Sequence, residues 1–185
     1  MNHIKNFAYG FLLAALLSTT YSYATKQDEP IRLTTQVNKD VVKVQKYYKK
    51  HNPKLWDSLA TELAKATVDG ATEYKVPLPI QVAVNVKESD LHPFAVSRTG
   101  AKGLGQVDFE ANKEELGSGN PFDPKYNQQC SAYLLSQKIS AYGVRKGLEI
   151  YNVGEGNYKR GVRNKKYVAQ VLDYANKFKK FKEGA

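Results

Sequence analysis

The chain has little sulfur and little imidazole: one cysteine, one methionine and three histidines among 185 residues. With Cys130 as the only cysteine, no internal disulfide can form, so stability must come from packing. Cys130 lies in NQQCSAYLLSQKI, with no His or second Cys beside it, and reads as a small buried side chain rather than a nucleophile. His92 has no partner of ligand type at metal-binding spacing and reads as a loop residue, so neither a metal nor another cofactor is expected. Internal repeats and low-complexity tracts are absent. Acidic residues are in deficit: 28 Lys and Arg face 18 Asp and Glu, a formal net charge of +10. Such a surface expects anionic partners, although the lysines are scattered and stand beside no nucleic-acid-binding motif, so no nucleic-acid role is expected.

Long apolar runs are scarce too. Phe7 to Leu17 (FAYGFLLAALL) falls well short of the ~20 residues needed to cross a bilayer. Preceded by Lys5 and followed by Ser22-Tyr23-Ala24, with small residues at −3 and −1, it has the three-part form of a secretory signal peptide. Residues 1–24 are therefore expected to be removed, leaving an exported, most simply periplasmic, chain without a transmembrane anchor. No cysteine follows the cleavage site to carry a lipid. The remainder suits one domain, since domains cluster near ~100–150 residues.

The pattern after Thr25 is helical almost throughout. Thr25 to Gln36 is an aperiodic lead-in. Val37, Val41, Val44 and Tyr48 recur at helical spacing, and Asn52-Pro53 breaks that helix. Leu55, Leu59, Leu63 and Ala66 form a second stripe ending near Gly70, with Trp56 expected to pack beside it. These segments, within residues 25–72, read as an N-terminal helical appendage to a domain over 73–185. From Leu78 to Lys87 two periods compete: Val82, Val84 and Val86 alternate as in a strand, while Ile80, Ala83, Val84 and Lys87 share a helical face. Periodicity does not decide; the helical surroundings, and Pro79 in a first turn, favour helix. Asp90 to Gly119 reads as a long ordered loop with a short helix over Phe109–Leu116. Helices are expected over Tyr126–Tyr142, stopped by Gly143, over Arg145–Tyr151, and over Lys165–Phe181. The fold class is mainly α.

Chemistry concentrates in Lys87–Val107 (KESDLHPFAVSRTGAKGLGQV). Glu88 ends a helix, where the negative end of the macrodipole disfavours ionisation, and partial burial acts in the same direction. Both effects raise the pKa, as a glycosidic general acid requires. Gly100, Gly103 and Gly105 would let the backbone approach a bulky ligand, and Gln106 offers a donor and an acceptor to sugar hydroxyl or acetamido groups. By pattern alone, a helix-ending Glu before a Gly-rich loop is more often a solvated residue than a catalytic one.

The same stretch resembles the soluble lytic transglycosylase family, whose fold is related to goose-type lysozyme. The opening motif, Glu-Ser and then a loop ending in Gly-Leu-X-Gln, is matched by Glu88-Ser89 and Gly103-Leu104-Gly105-Gln106. Later blocks are matched by Leu116-Gly117, Asn120-Pro121-Phe122-Asp123-Pro124, Asn127 and Tyr133-Leu134; by Tyr151-Asn152-Val153-Gly154-Glu155-Gly156; and by Tyr167-Val168-Ala169-Gln170-Val171-Leu172. The resemblance implies a lysozyme-like helical domain acting on peptidoglycan glycan strands. Glu88 would be the single acid and base, Ser97 and Gln106 would bond the substrate near the reacting bond, and Tyr151 and Asn152 would line the cleft opposite.

It also implies a non-hydrolytic reaction: Glu88 protonates the oxygen joining N-acetylmuramic acid to N-acetylglucosamine, the substrate's 2-acetamido group meets the charge at C1, and ionised Glu88 then takes the C6 hydroxyl proton as a 1,6-anhydro ring closes. That route explains how one carboxyl group suffices where ordinary glycosidases use two. Two positions depart from the family. Asp108 stands where an apolar residue is usual, which leaves a lysozyme-like inverting hydrolase open, and Ile150 replaces the usual Ala before Tyr151. A wall-binding component of an envelope assembly is a reading of another class. An enzyme opening the wall for a secretion, conjugation or phage apparatus, docked through Val37–Ala66, combines the two.

Overall fold

In the computed structural model residues 35–182 are described. The signal-peptide reading of residues 1–24 and most of the lead-in lie outside the described residues. Of the two units into which the chain divides, the described residues lie almost wholly in the second, Asp40–Ala185. The second unit holds the helices α1 (35–51, of which 40–51 belong to this unit), α2 (Asp57–Glu73), α3 (Leu78–Ser89), α4 (Lys113–Leu116), α5 (Pro124–Val153), α6 (Glu155–Lys159) and α7 (Lys165–Lys180). Among the described residues there is no strand, only isolated bridges from Val96 to Lys102 and from Lys102 to Val107. The mainly α, lysozyme-like class read from the sequence is the one observed.

α3 is the central element. Every residue from Ile80 to Val86 is buried, and the helix packs along α7 and against α2. This explains the ambiguous period of its sequence: a helix covered on all sides carries no amphipathic stripe. Ile80, Val84, Leu135, Leu148, Tyr167 and Val171 form the core around it. Its polar residues Gln81 and Asn85, four apart and thus on one face, enter a buried hydrogen-bond network. Gln81 Nε2 donates to Gln128 Oε1 and Ser131 Oγ, each at 3.0 Å. Asn85 Nδ2 lies 2.8 Å from Gln128 Oε1, 3.0 Å from Tyr48 Oη and 3.1 Å from Thr67 Oγ1. Tyr48 and Thr67 come from α1 and α2, the helices read as an appendage; both side chains are fully buried here.

Three helix ends set the framework. Asp123 caps α5 by accepting Tyr126 N–H at 2.7 Å, with Pro124 in the first turn. Gly143 (φ 74°, ψ 166°) breaks α5 where a stop was read, and the helix resumes to Val153. Asn164 caps α7 by accepting Tyr167 N–H at 3.0 Å, and Lys177, Lys179 and Lys180 occupy its last turn, where cations favour the dipole.

Two expectations need correction. Trp56 does not pack; it is 79% exposed, because α2 starts at Asp57 and leaves Trp56 outside the helical stripe. The short helix read over Phe109–Leu116 is only Lys113–Leu116, since Asp108 folds the preceding residues into a turn, accepting Ala111 N–H at 3.0 Å.

Candidate active site

Glu88 is the penultimate residue of α3. Immediately after the helix the backbone turns left-handed at two successive non-glycine residues, Asp90 (φ 50°) and Leu91 (φ 66°). Each such conformation costs ~1–2 kcal/mol. Leu91 is fully buried, worth ~1.5–3 kcal/mol, and the Asp90 carboxylate meets His51 Nε2 at 2.7 Å. The strain is thus held by packing on one residue and a polar contact on the other. Ser89 Oγ lies 2.8 Å from Leu104 O and 3.1 Å from Asn85 O, tying the helix end to the following loop.

The Glu88 carboxyl sits against α7. Tyr167, itself buried, donates its hydroxyl to Glu88 Oε1 at 2.6 Å. Burial pushes the Glu88 pKa up from its ordinary 4.5 to about 7; the Tyr167 hydrogen bond, the Lys87 charge and a hydrogen bond from Asn152 act in the opposite direction and are outweighed. The group is therefore poised to hold a proton near neutrality and to release it there. The Tyr167 hydroxyl titrates well above its usual range, first through burial and then through the neighbouring carboxyl.

Two cavities flank this point. One, of about 450 Å³, is lined by Glu88, Lys87, Asn152, Asn164, Lys166, Tyr167 and Gln170. The other, of about 650 Å³, includes Gln106, Asp108, Lys138, Tyr151, Asn152 and Arg160 in its lining. Asn152 is common to both linings.

The residues singled out from the sequence divide between these cavities and the loop. Asn152 lies beside Glu88, its Oδ1 accepting from Asn164 Nδ2 at 2.8 Å. Tyr151 lines the larger cavity, but its hydroxyl is engaged, donating to Gly105 O at 2.8 Å and lying 2.9 Å from Ser131 Oγ. Gln106 also lines it, left-handed at φ 48°, with its amide hydrogens on Ala95 O and Gly103 O, each at 3.0 Å. The loop consumes its donors, which leaves Oε1, an acceptor, for a ligand. Ser97 lines neither cavity. Its Oγ accepts Ala101 N–H at 3.0 Å and lies 3.0 Å from Thr99 Oγ1, closing the loop on itself. Asp108 lines the larger cavity while Glu88 lines the smaller, and its Oδ1 is held by Ala111 N–H.

Two of the three loop glycines, Gly103 and Gly105, serve a contact inside the fold. A Cβ on Gly103 would fall 2.2 Å from Asn127 Nδ2, and one on Gly105 2.6 Å from Ser131 Oγ. These two let the loop seat on α5 rather than approach a ligand. Asn127 completes the seat, accepting Gly105 N–H at 2.8 Å and donating to Lys102 O and Pro121 O, each at 2.9 Å.

Sequence reasoning passed over three residues here. Tyr167 stands in the closing block, whose pattern marks it only as part of a helix; a tyrosine one turn before Val171 on the buried face is the available signal. Asn164 had a legible one, an amide residue just before a helical run. Glu149, buried and accepting Asn164 N–H at 2.9 Å, was the lone acid in the apolar segment Gly147–Ile150.

Comparison with protein families finds a match to the model described as transglycosylase SLT domain over residues 67–172. The match begins within α2 and ends within α7, and so includes Glu88, both cavities and Tyr167. Comparison with curated proteins gave no match, and comparison with solved structures gave none.

Proposed function

The chain belongs to the transglycosylase SLT family, and on that premise we propose that it is an exported peptidoglycan lytic transglycosylase with Glu88 as its acid and base. The family fixes the broader part: a glycosidic-bond-cleaving enzyme of the transglycosylase type acting on peptidoglycan. The observation that carries the finer reading is one carboxyl group with its pKa at about 7 and an O–H donor fixed on Oε1.

In the proposed reaction Glu88 gives its proton to the glycosidic oxygen as the C1–O bond breaks. The oxygen of the substrate's 2-acetamido group bonds C1 and takes up the positive charge. Glu88, now a carboxylate stabilised by the Tyr167 and Asn152 donors, removes the proton from the C6 hydroxyl. The C6 oxygen displaces the acetamido oxygen at C1, leaving a 1,6-anhydro-N-acetylmuramic acid end and Glu88 protonated for the next turnover. Gln106 supplies an acceptor from the larger cavity, and Tyr151 holds Gly105, and with it the Gln106 backbone, in place. Ser97 acts through the loop it closes.

Among the described residues no helix is long and apolar enough to cross a membrane. Export through residues 1–24, with maturation at Thr25 and a periplasmic location, is tested by N-terminal sequencing of the chain recovered outside the cytoplasm. A role at a secretion, conjugation or phage apparatus would use the exposed faces of α1 and α2. Its test is substitution at exposed positions such as Lys50 and Glu62 with partner capture as readout. Deletion is the wrong tool, because Tyr48, Leu63 and Thr67 are core residues. For the enzyme itself, purified sacculi should release soluble muropeptides with the wild-type chain and none with Glu88→Gln. Undiminished release by the Gln variant would remove Glu88 from the reaction.

A further inference from the structure

We propose that the cavity at Glu88 also receives a carboxylate carried by the sugar beside the scissile bond, with Lys87 and Lys166 as its recognition pair. The inference rests on the proposed function, and it names the side chains that would tell the acidic glycan of that reaction from a neutral glycan of the same linkage.

The smaller cavity has charge of one sign around its acid. Lys87 precedes Glu88 at the end of α3, Lys166 precedes Tyr167 in the first turn of α7, and both line the cavity. Neither lysine has a carboxylate partner among the described residues, whereas Lys49, Lys65, Lys159 and Lys177 each do. Glu88 is the only carboxyl group in the lining among the described residues; the rest is Tyr167 and the amides of Asn152, Asn164 and Gln170. The larger cavity differs, with Asp108, Glu115 and Glu155 set against Lys138 and Arg160.

Two cations flanking a proton donor lower the pKa of that donor, as the Lys87 charge does here. For the acid step alone they are a disadvantage, so an anionic ligand group is the natural counterpart. Peptidoglycan provides one. Each muramic acid bears a lactyl ether whose carboxylate is free on denuded strands, and on substituted strands a peptide with carboxylates of its own is attached there. Chitin oligomers have the same β-1,4 linkage and acetamido groups but no carboxylate.

The test uses the full chain carrying Glu88→Gln, so that binding is measured without turnover. Three soluble glycans are compared: denuded wall strands, peptide-bearing wall strands and a chitooligosaccharide. Lys87→Met with Lys166→Met should weaken binding to carboxylate-bearing strands roughly three- to tenfold at low salt. The loss should shrink as salt is added and stay under about twofold on the chitooligosaccharide. Lys87→Arg with Lys166→Arg should retain binding, and Lys179→Met with Lys180→Met, which removes the same charge at the opposite end of α7 from Lys166, should change nothing. A loss confined to denuded strands assigns the lactyl carboxylate; a loss confined to peptide-bearing strands assigns the peptide. Equal loss on the chitooligosaccharide, an equal loss from the distant pair, or no loss on either acidic strand would overturn the inference. Absence of turnover by the wild-type chain would overturn the proposed reaction and leave this binding result to stand or fall separately.

Discussion

Replacing Glu88 by Gln should make the protein more stable above neutrality and leave its stability unchanged in acid. The carboxyl group titrates near its ordinary 4.5 in the unfolded chain and at about 7 in the folded one. Below pH 4.5 it is protonated in both states and behaves like the amide. As pH rises toward 7 the unfolded chain ionises first, so the native state loses stability progressively, and the loss is complete once the folded group has ionised as well. Moving a pKa from 4.5 to about 7 corresponds to about 3 kcal/mol at full value. Solvent reaches part of this residue, and screening reduces the figure to roughly 1.5 kcal/mol. For a domain of this size that is roughly 3–6 °C in Tm. The assay is thermal unfolding of wild type and Glu88→Gln, followed by far-UV circular dichroism from pH 4 to pH 8.5. The Gln variant should gain between pH 4.5 and 7 and hold a constant advantage above. A difference independent of pH would refute burial as the cause of the raised pKa.

The same geometry predicts four further outcomes. Tyr167→Phe removes a donor that favours the ionised carboxyl, so the Glu88 pKa should rise, by carboxyl NMR, and the alkaline limb of the activity profile should move to higher pH. Gly103→Ala adds a Cβ within 2.2 Å of Asn127 Nδ2 at φ 77° and should cost ~2–4 kcal/mol in urea unfolding. Gly100→Ala, at φ 92° in open space, should cost only the backbone strain of ~1–2 kcal/mol. Glu149→Leu leaves Asn164 N–H without its acceptor and should cost ~1–3 kcal/mol and lower kcat more than it raises KM, whereas Glu149→Gln, which keeps an acceptor oxygen, should recover most of both.

Legibility from sequence varied with how local the determining physics was. α7 was readable because one face is buried and the other carries lysine, and Gly143 because a left-handed residue in a helix nearly demands glycine. α3 gave no clear period because all its faces are covered. Trp56 is illegible because a large apolar side chain normally finds a wall, whereas here the helix starts one residue too late to bring it there. At the site, Glu88 and Asn152 were marked by the resemblance and lie together. Ser97 and the amide hydrogens of Gln106 turn inward to their own loop, and Gly103 and Gly105 serve contacts with α5. Those partners lie up to 26 residues away in the chain, and no spacing rule reports them. Tyr167 was hidden for the same reason: its partner is 79 residues earlier.

The most direct test of the central claim is mass spectrometry of the soluble products from purified sacculi digested with the wild-type chain and with Glu88→Gln. The account predicts muropeptides ending in 1,6-anhydro-N-acetylmuramic acid from the wild type and none from the variant. Products with reducing ends would contradict it: water would then be the nucleophile, and Asp108 the carboxylate to examine as its base.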